Sequence, residues 1–254
     1  MMIRDLFGLD GQVALVTGGN KGLGQAMAIG LAQAGADVAI VSQSGQGDAT
    51  LAAIEAAGRR GHSFAADLGR PEAAPLVVDQ TVQALGRIDI LVNNAGIIRR
   101  ADALETDLAD FTAVLDVNLV GVWALSQATG RRMHAQGRGK IINIASLLSF
   151  QGGIRVPAYT AAKHAVAGLT RALANEWAQH GINVNAIAPG YMATDNTQAL
   201  RDDPERSRQI MERIPAGRWG VPEDVAGAVV FLASRASDYV HGHVLVVDGG
   251  WMAR

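Results

Sequence analysis

Val13-Ala14-Leu15-Val16-Thr17-Gly18-Gly19-Asn20-Lys21-Gly22-Leu23-Gly24 places a short apolar run directly before a glycine-rich turn. The run reads as a strand buried on both faces, and the turn carries it into a helix starting near Gly22. Glycines there let backbone approach a bound group closely. The helix N-terminus offers unpaired N–H groups and the positive end of its dipole to a phosphate. The spacing departs from G-x-G-x-x-G, so this segment alone reads either as a dinucleotide cradle or as a tight turn.

Downstream, similar runs recur at 37–42, 62–66, 88–93, 140–145, 183–187 and 243–247, each preceded by a segment long enough for a crossover helix. Gly35, Gly86 and Gly181 punctuate segment ends, where glycine takes the left-handed conformation that stops a helix. Right-handed crossovers then predict one α/β domain over 1–254, a doubly wound seven-stranded parallel sheet with helices on both faces. The stretch from 191 to about 220 lacks this rhythm, is charged and contains Pro204 and Pro215. It reads as a surface insertion or as a substrate flap over the strand ends.

Composition narrows the function. With 49% apolar and 18% charged residues among 254, the chain has the makeup of a globular protein. A net charge of −2 provides no broad basic field, so no nucleic-acid partner is expected. The lack of cysteine excludes disulfides, thiolate catalysis and cysteine-bound metals. Neither a signal peptide nor a membrane span is read, no metal site is expected, and the expected location is cytoplasmic.

After the second strand, where an acid would bind a ribose 2′-hydroxyl, the chain reads Ser42-Gln43-Ser44. Lys21 reads either as a point charge for a 2′-phosphate or as a solvated loop lysine. Asp67-Leu68 after the third strand and Asn93-Asn94-Ala95-Gly96 after the fourth fit the adenine and ribose sides of a dinucleotide.

Tyr159 and Lys163 stand four residues apart in a segment, 157–179, that reads as a helix opened by Pro157, so they share a face. An ammonium beside a phenol is expected to lower its pKa and make the pair a general acid or base. Ser146, just past the fifth strand, can hold a substrate oxygen. Asn118, on a preceding long helix, can bind a water leading to Lys163.

With these motifs in this order, the chain resembles the short-chain dehydrogenase/reductase family from near Leu9 to its end. The resemblance rests on Thr17-Gly18 through Gly24, Asn93-Asn94-Ala95-Gly96, Asn118, Ser146, Tyr159-Thr160-Ala161-Ala162-Lys163 and Pro189-Gly190. It implies a Rossmann fold binding the cofactor through Gly18, Asn20, Lys21, Gly22, Leu23, Gly24, Ser42, Asp67, Leu68, Asn94, Ala95, Gly96, Pro189 and Gly190. It further implies that Tyr159 exchanges the proton, Lys163 also holds the nicotinamide ribose, Ser146 orients substrate and Asn118 supports a relay. Thr194 matches the position that anchors the carboxamide, and a homotetramer through the helices carrying Asn118 and Tyr159 is expected.

Within that family, 149–159, 189–194, 214–220 and the terminal Asp248-Gly249-Gly250-Trp251-Met252-Ala253-Arg254 resemble a branch acting on deoxy sugar acids and using NAD. NAD(H) is therefore expected, with NADP possible from the residues themselves. For the substrate carboxylate, Arg155 is the first candidate, ahead of Arg99 and Arg100, and Gln151 is a candidate for a hydroxyl. His243 or Trp251 is read as a subunit contact. Alternatives are a reductase for gluconate at carbon five, a keto-uronate or an acyl-carrier thioester, and, outside enzymes, a dinucleotide-sensing module.

Overall fold

In the computed structural model, which describes residues 2–254, the opening apolar run forms β1 (Val13–Thr17), with all five residues buried. The other strands are β2 (Asp37–Ser42), β3 (Gly61–Ala65), β4 (Ile90–Asn93), β5 (Gly139–Ile144), β6 (Ile182–Pro189) and β7 (Val244–Val247). They form a single seven-stranded sheet in the order β3-β2-β1-β4-β5-β6-β7, and every pairing is parallel. Expected strand positions agree to within two residues at each end.

Alternation along β1 divides the core. Ala14 and Val16 face one side, against Met27 and Leu31 of α1 (Gly22–Gln33) and Ile54 of α2 (Asp48–Ala56). Val13 and Leu15 face the other, with Val77 and Val78 of α3 (Ala73–Leu85). Helices α4 (Leu108–Leu115), α5 (Gly121–Gln136) and α6 (Pro157–Trp177) follow, with Leu125 of α5 and Leu173 of α6 packed on that second side. Each side chain of this size contributes about 1.5–3 kcal/mol by leaving water.

A single π turn, Asp116–Val120, joins α4 to α5. The continuous helix Leu108–Gln136 is long and apolar enough to cross a membrane, with a mean hydropathy of 1.5 over its best window, only 28% of which is buried. Counting uninterrupted apolar residues did not anticipate this. Asn118, Ser126 and Thr129 on it are fully buried, while Leu108 and Trp123 are exposed.

After β6 come α7 (Gln198–Arg201) and α8 (Pro204–Arg213), then α9 (Ala226–Ala233), which returns to the α1 face. The excursion opens and closes at a parallel bridge between Met192 and Gly220. Trp251 forms its floor with Leu147, Ile210 and Ile214, and its ring packs 4.6 Å from Tyr191. At 5% exposure, Trp251 is a core residue of its own chain, not the subunit contact expected for it.

Because the chain runs from β1 outward to β3 and then returns to β4 on the opposite flank of β1, a crevice opens at the carboxyl ends of β1 and β4.

Candidate active site

The crevice starts at Thr17. Its hydroxyl accepts the backbone N–H groups of Asn94 and Ala95, both at 2.8 Å, and the Asn94 amide donates to the Thr17 carbonyl at 2.8 Å. Asn94 and Ala95 thus fix the shape of the glycine turn. Thr50, which the sequence reading passed over because it lies on α2, braces the same turn by donating to the Gly19 carbonyl at 3.0 Å.

Glycine is required along this turn. Gly18 and Gly22 have φ of 63° and 55°, and a Cβ on Gly24 would lie 2.1 Å from the Gly18 carbonyl oxygen. At Gly22 a Cβ would meet only the Thr194 methyl, at 3.8 Å. No side chain caps the start of α1, so the N–H groups of Gly22, Leu23 and Gly24 are available at the positive end of a twelve-residue helix. This geometry fits a dinucleotide diphosphate.

Other expected cofactor residues have partners within the chain. Lys21 pairs with Asp195 at 2.7 Å, linking the glycine turn to the excursion after β6. Ser42 accepts from the Gly45 N–H at 3.1 Å and so shapes the turn leaving β2. Asp67 accepts from the Gly69 N–H at 3.0 Å, and the Leu68 carbonyl packs against Gly121 so closely that a Cβ there would lie 2.2 Å away. The N–H of Gly190, following Pro189, donates to Val247 at 2.9 Å. Asn20 lies half-buried in the glycine turn and Gly96 lies against Asn118.

Ser146, Tyr159 and Lys163 converge beyond β5. Ser146 accepts from the Leu148 N–H at 3.2 Å, beginning the turn that leads towards α6. Lys163, 4% exposed, donates to the Ile144 carbonyl at 2.6 Å, and its own carbonyl accepts from the Ser149 hydroxyl at 2.6 Å. One amine proton is engaged and two remain, which fits a ribose diol. Deeper in the sheet, Asn143 accepts from Asn93 at 2.9 Å and donates to Thr170 at 3.0 Å, locking β4, β5 and α6 together.

The electrostatics correct one expectation. Burial dominates at Tyr159 and raises its pKa above the ordinary tyrosine value, while Ser146 and the charge of Arg100 pull it down. Burial likewise opposes the charged form of Lys163 and lowers its pKa to about 8. The Asn118 side chain is engaged within the chain: its oxygen accepts the Ile97 N–H and its amide donates to the Ile97 carbonyl, both at 2.8 Å. It pins the loop leaving β4 from within a π turn, an element frequently found at functional sites.

Arg155 adopts φ 64° and pairs with Asp102 at 3.2 Å while 57% exposed. An acid of its own chain therefore already engages it. Gln151 accepts from the Trp251 indole at 3.4 Å, leaving its amide N–H groups available.

Residues 18–252 match a family described as enoyl-(acyl carrier protein) reductase. The chain is 57% identical, over the whole of both sequences, to 2-dehydro-3-deoxy-D-gluconate 5-dehydrogenase from Escherichia coli strain K12. A structure from Agrobacterium tumefaciens with bound NADP, provisionally named a 2-deoxy-D-gluconate 3-dehydrogenase, is 57% identical with a TM-score of 0.93, covering 98% of this chain and 100% of that one. Gluconate 5-dehydrogenase from Burkholderia cenocepacia, in complex with NADP and tartrate, is 40% identical with a TM-score of 0.95 and complete coverage of both chains.

Proposed function

We propose that this chain, which belongs to the short-chain dehydrogenase/reductase family, interconverts a secondary hydroxyl and a ketone on a deoxy sugar acid of the 2-dehydro-3-deoxy-D-gluconate type. The observation that carries the proposal is the convergence of Ser146, Tyr159 and Lys163 at the carboxyl end of β5. The full-length relative at 57% identity supports the substrate class, as does a relative that takes up tartrate, a hydroxy acid, together with NADP.

The bound nicotinamide would supply or accept the hydride. Tyr159 gives its phenolic proton to the carbonyl oxygen in reduction and takes it back in oxidation. Ser146 donates to the same oxygen and fixes its position. Lys163, held by Ile144, orients the ribose and adds positive charge beside the phenolate. Asn118 keeps the loop leaving β4 in register, and Thr194 brings the excursion at 191–220 over the glycine turn as a flap. Gln151 presents amide N–H groups to substrate hydroxyls.

The cofactor is NAD(P)(H). No carboxylate at Ser42-Gln43-Ser44 repels a 2′-phosphate, and Lys21 is engaged with Asp195, so both dinucleotides serve, NAD(H) being the expected partner and NADP(H) accepted. A homotetramer through the helices bearing Asn118 and Tyr159 accounts for the exposed Leu108 and Trp123, and for the open surface at Gly168 of α6. A cysteine-free composition supports a cytoplasmic location.

The test is purified protein assayed by nicotinamide absorbance against 2-dehydro-3-deoxy-D-gluconate, 2-deoxy-D-gluconate, gluconate and a 3-oxoacyl thioester. Turnover of a deoxy sugar acid, lost in Tyr159→Phe, supports the proposal. Turnover of the thioester alone overturns it.

A further inference from the structure

Three arginines stand on the loops that leave β4 and enter α6, and the structure distinguishes them. Arg99 pairs with Asp110 at 3.7 Å and Arg155 with Asp102 at 3.2 Å. Arg100 has no carboxylate within 4.0 Å among the described residues, and its one hydrogen bond runs from a terminal guanidinium nitrogen to the Asn196 carbonyl at 2.9 Å. A guanidinium has five N–H donors in a fixed fork, so most of them meet no protein partner among the described residues.

The backbone under Arg100 is held on both sides. Three residues before it, Ile97 is fastened through both of its backbone groups to Asn118. One residue after it, the Ala101 N–H donates to the Arg155 carbonyl at 3.1 Å, tying the loop leaving β4 to the loop entering α6. From this fixed base the side chain crosses to Asn196, on the flap that follows β6. Arg100 is exposed, and its charge favours the Tyr159 phenolate, which sets its side chain on the side of the crevice where Tyr159 lies.

We propose that Arg100 is the residue that binds the substrate carboxylate, and that through Asn196 it couples acid recognition to the seating of the flap. This rests on the sugar-acid function proposed above. A carboxylate meeting Arg100 supplies the missing counter-charge, accepts in bidentate fashion, and leaves the bond to Asn196 in place on the remaining donors. Arg155 contributes by holding Asp102 and the backbone at Ala101, a positioning role at the entrance.

The experiment compares a deoxy sugar acid with its methyl ester in the full-length enzyme, for Arg100→Gln, Arg100→Lys and Arg155→Gln. Loss of a charge-assisted pair corresponds to about 10- to 150-fold. Arg100→Gln is expected to lower kcat/KM for the acid by that factor, mainly through KM, while the ester changes less than about three-fold. Arg100→Lys retains charge but not the fork and should fall between. Equal losses on acid and ester, or an acid-specific loss in Arg155→Gln in place of Arg100→Gln, overturn the role of Arg100 alone. An unmodified enzyme that turns over neither compound overturns the sugar-acid function and this inference with it. Unchanged circular dichroism in Arg100→Gln shows that an acid-specific loss comes from recognition and not from unfolding.

Discussion

The amine of Lys163 lies 5.4 Å from the centre of the Tyr159 ring. One turn of α6 sets this separation, and it brings the cation to the ring within the range of a cation–π contact. Both groups are desolvated together, so each resists its charged form, and the chemistry depends on what else enters the crevice to offset that resistance.

Tyr159→Phe removes one hydroxyl and leaves the ring packing intact. Turnover should fall by about 10²–10⁴-fold, the usual contribution of a positioned acid–base group, with dinucleotide affinity within about two-fold. Steady-state rates and cofactor fluorescence titration check the two halves.

Lys163 should leave a signature in stability. Its folded pKa of about 8 lies below the ordinary 10.5, so between these values the unfolded chain binds more protons and stability rises with pH. Lys163→Met abolishes this term. The unfolding free energy of the unmodified protein relative to Lys163→Met should therefore increase from pH 7 to pH 10, by at most about 3 kcal/mol. Urea denaturation at both values measures it, and a relative decrease would show that the amine is not held against its charged form.

Arg100 favours the Tyr159 phenolate, whereas burial opposes it and Lys163 lies beside the ring. Arg100→Gln should move the pH at which oxidation of an uncharged ester reaches half its maximum to higher pH. A pH–rate profile that stays in place or moves to lower pH would contradict the proximity of the two groups.

Gln43 is exposed at the end of β2, where no acid stands. Placing a carboxylate there with Gln43→Asp should lower the use of NADP relative to NAD by about ten-fold, because the acid accepts from a ribose hydroxyl and repels a phosphate. The ratio of kcat/KM for the two cofactors is the measurement. The exposed Lys21–Asp195 pair should matter little to stability on Lys21→Ala.

Trp123 is exposed on the apolar helix Leu108–Gln136. If that face is covered by a second subunit, Trp123→Glu should reduce the mass in solution below that of a tetramer while the far-ultraviolet circular dichroism is preserved. Light scattering of the purified variant reads the outcome.

Much of this protein was legible in local sequence. Apolar runs at strand length, glycines at helix ends and the turn from Thr17 to Gly24 specify a parallel sheet and its crevice, because strand burial and left-handed backbone are properties of short segments. The spacing of Tyr159 and Lys163 likewise required only the helical repeat. Other features depend on residues far apart in the chain. Whether Tyr159 is acidified or resists ionisation depends on burial by the whole fold and on Arg100, 59 positions earlier in the sequence. Proximity in sequence to Tyr159 favoured Arg155 as the substrate arginine, yet Asp102 takes that side chain and leaves Arg100, of the three candidate arginines, without a carboxylate partner among the described residues. Trp251 read as an outer contact until the excursion after β6 was seen to fold over it. Charge compensation and solvent exclusion are sums over neighbours in space, so they become readable only once the sheet order has brought those neighbours together.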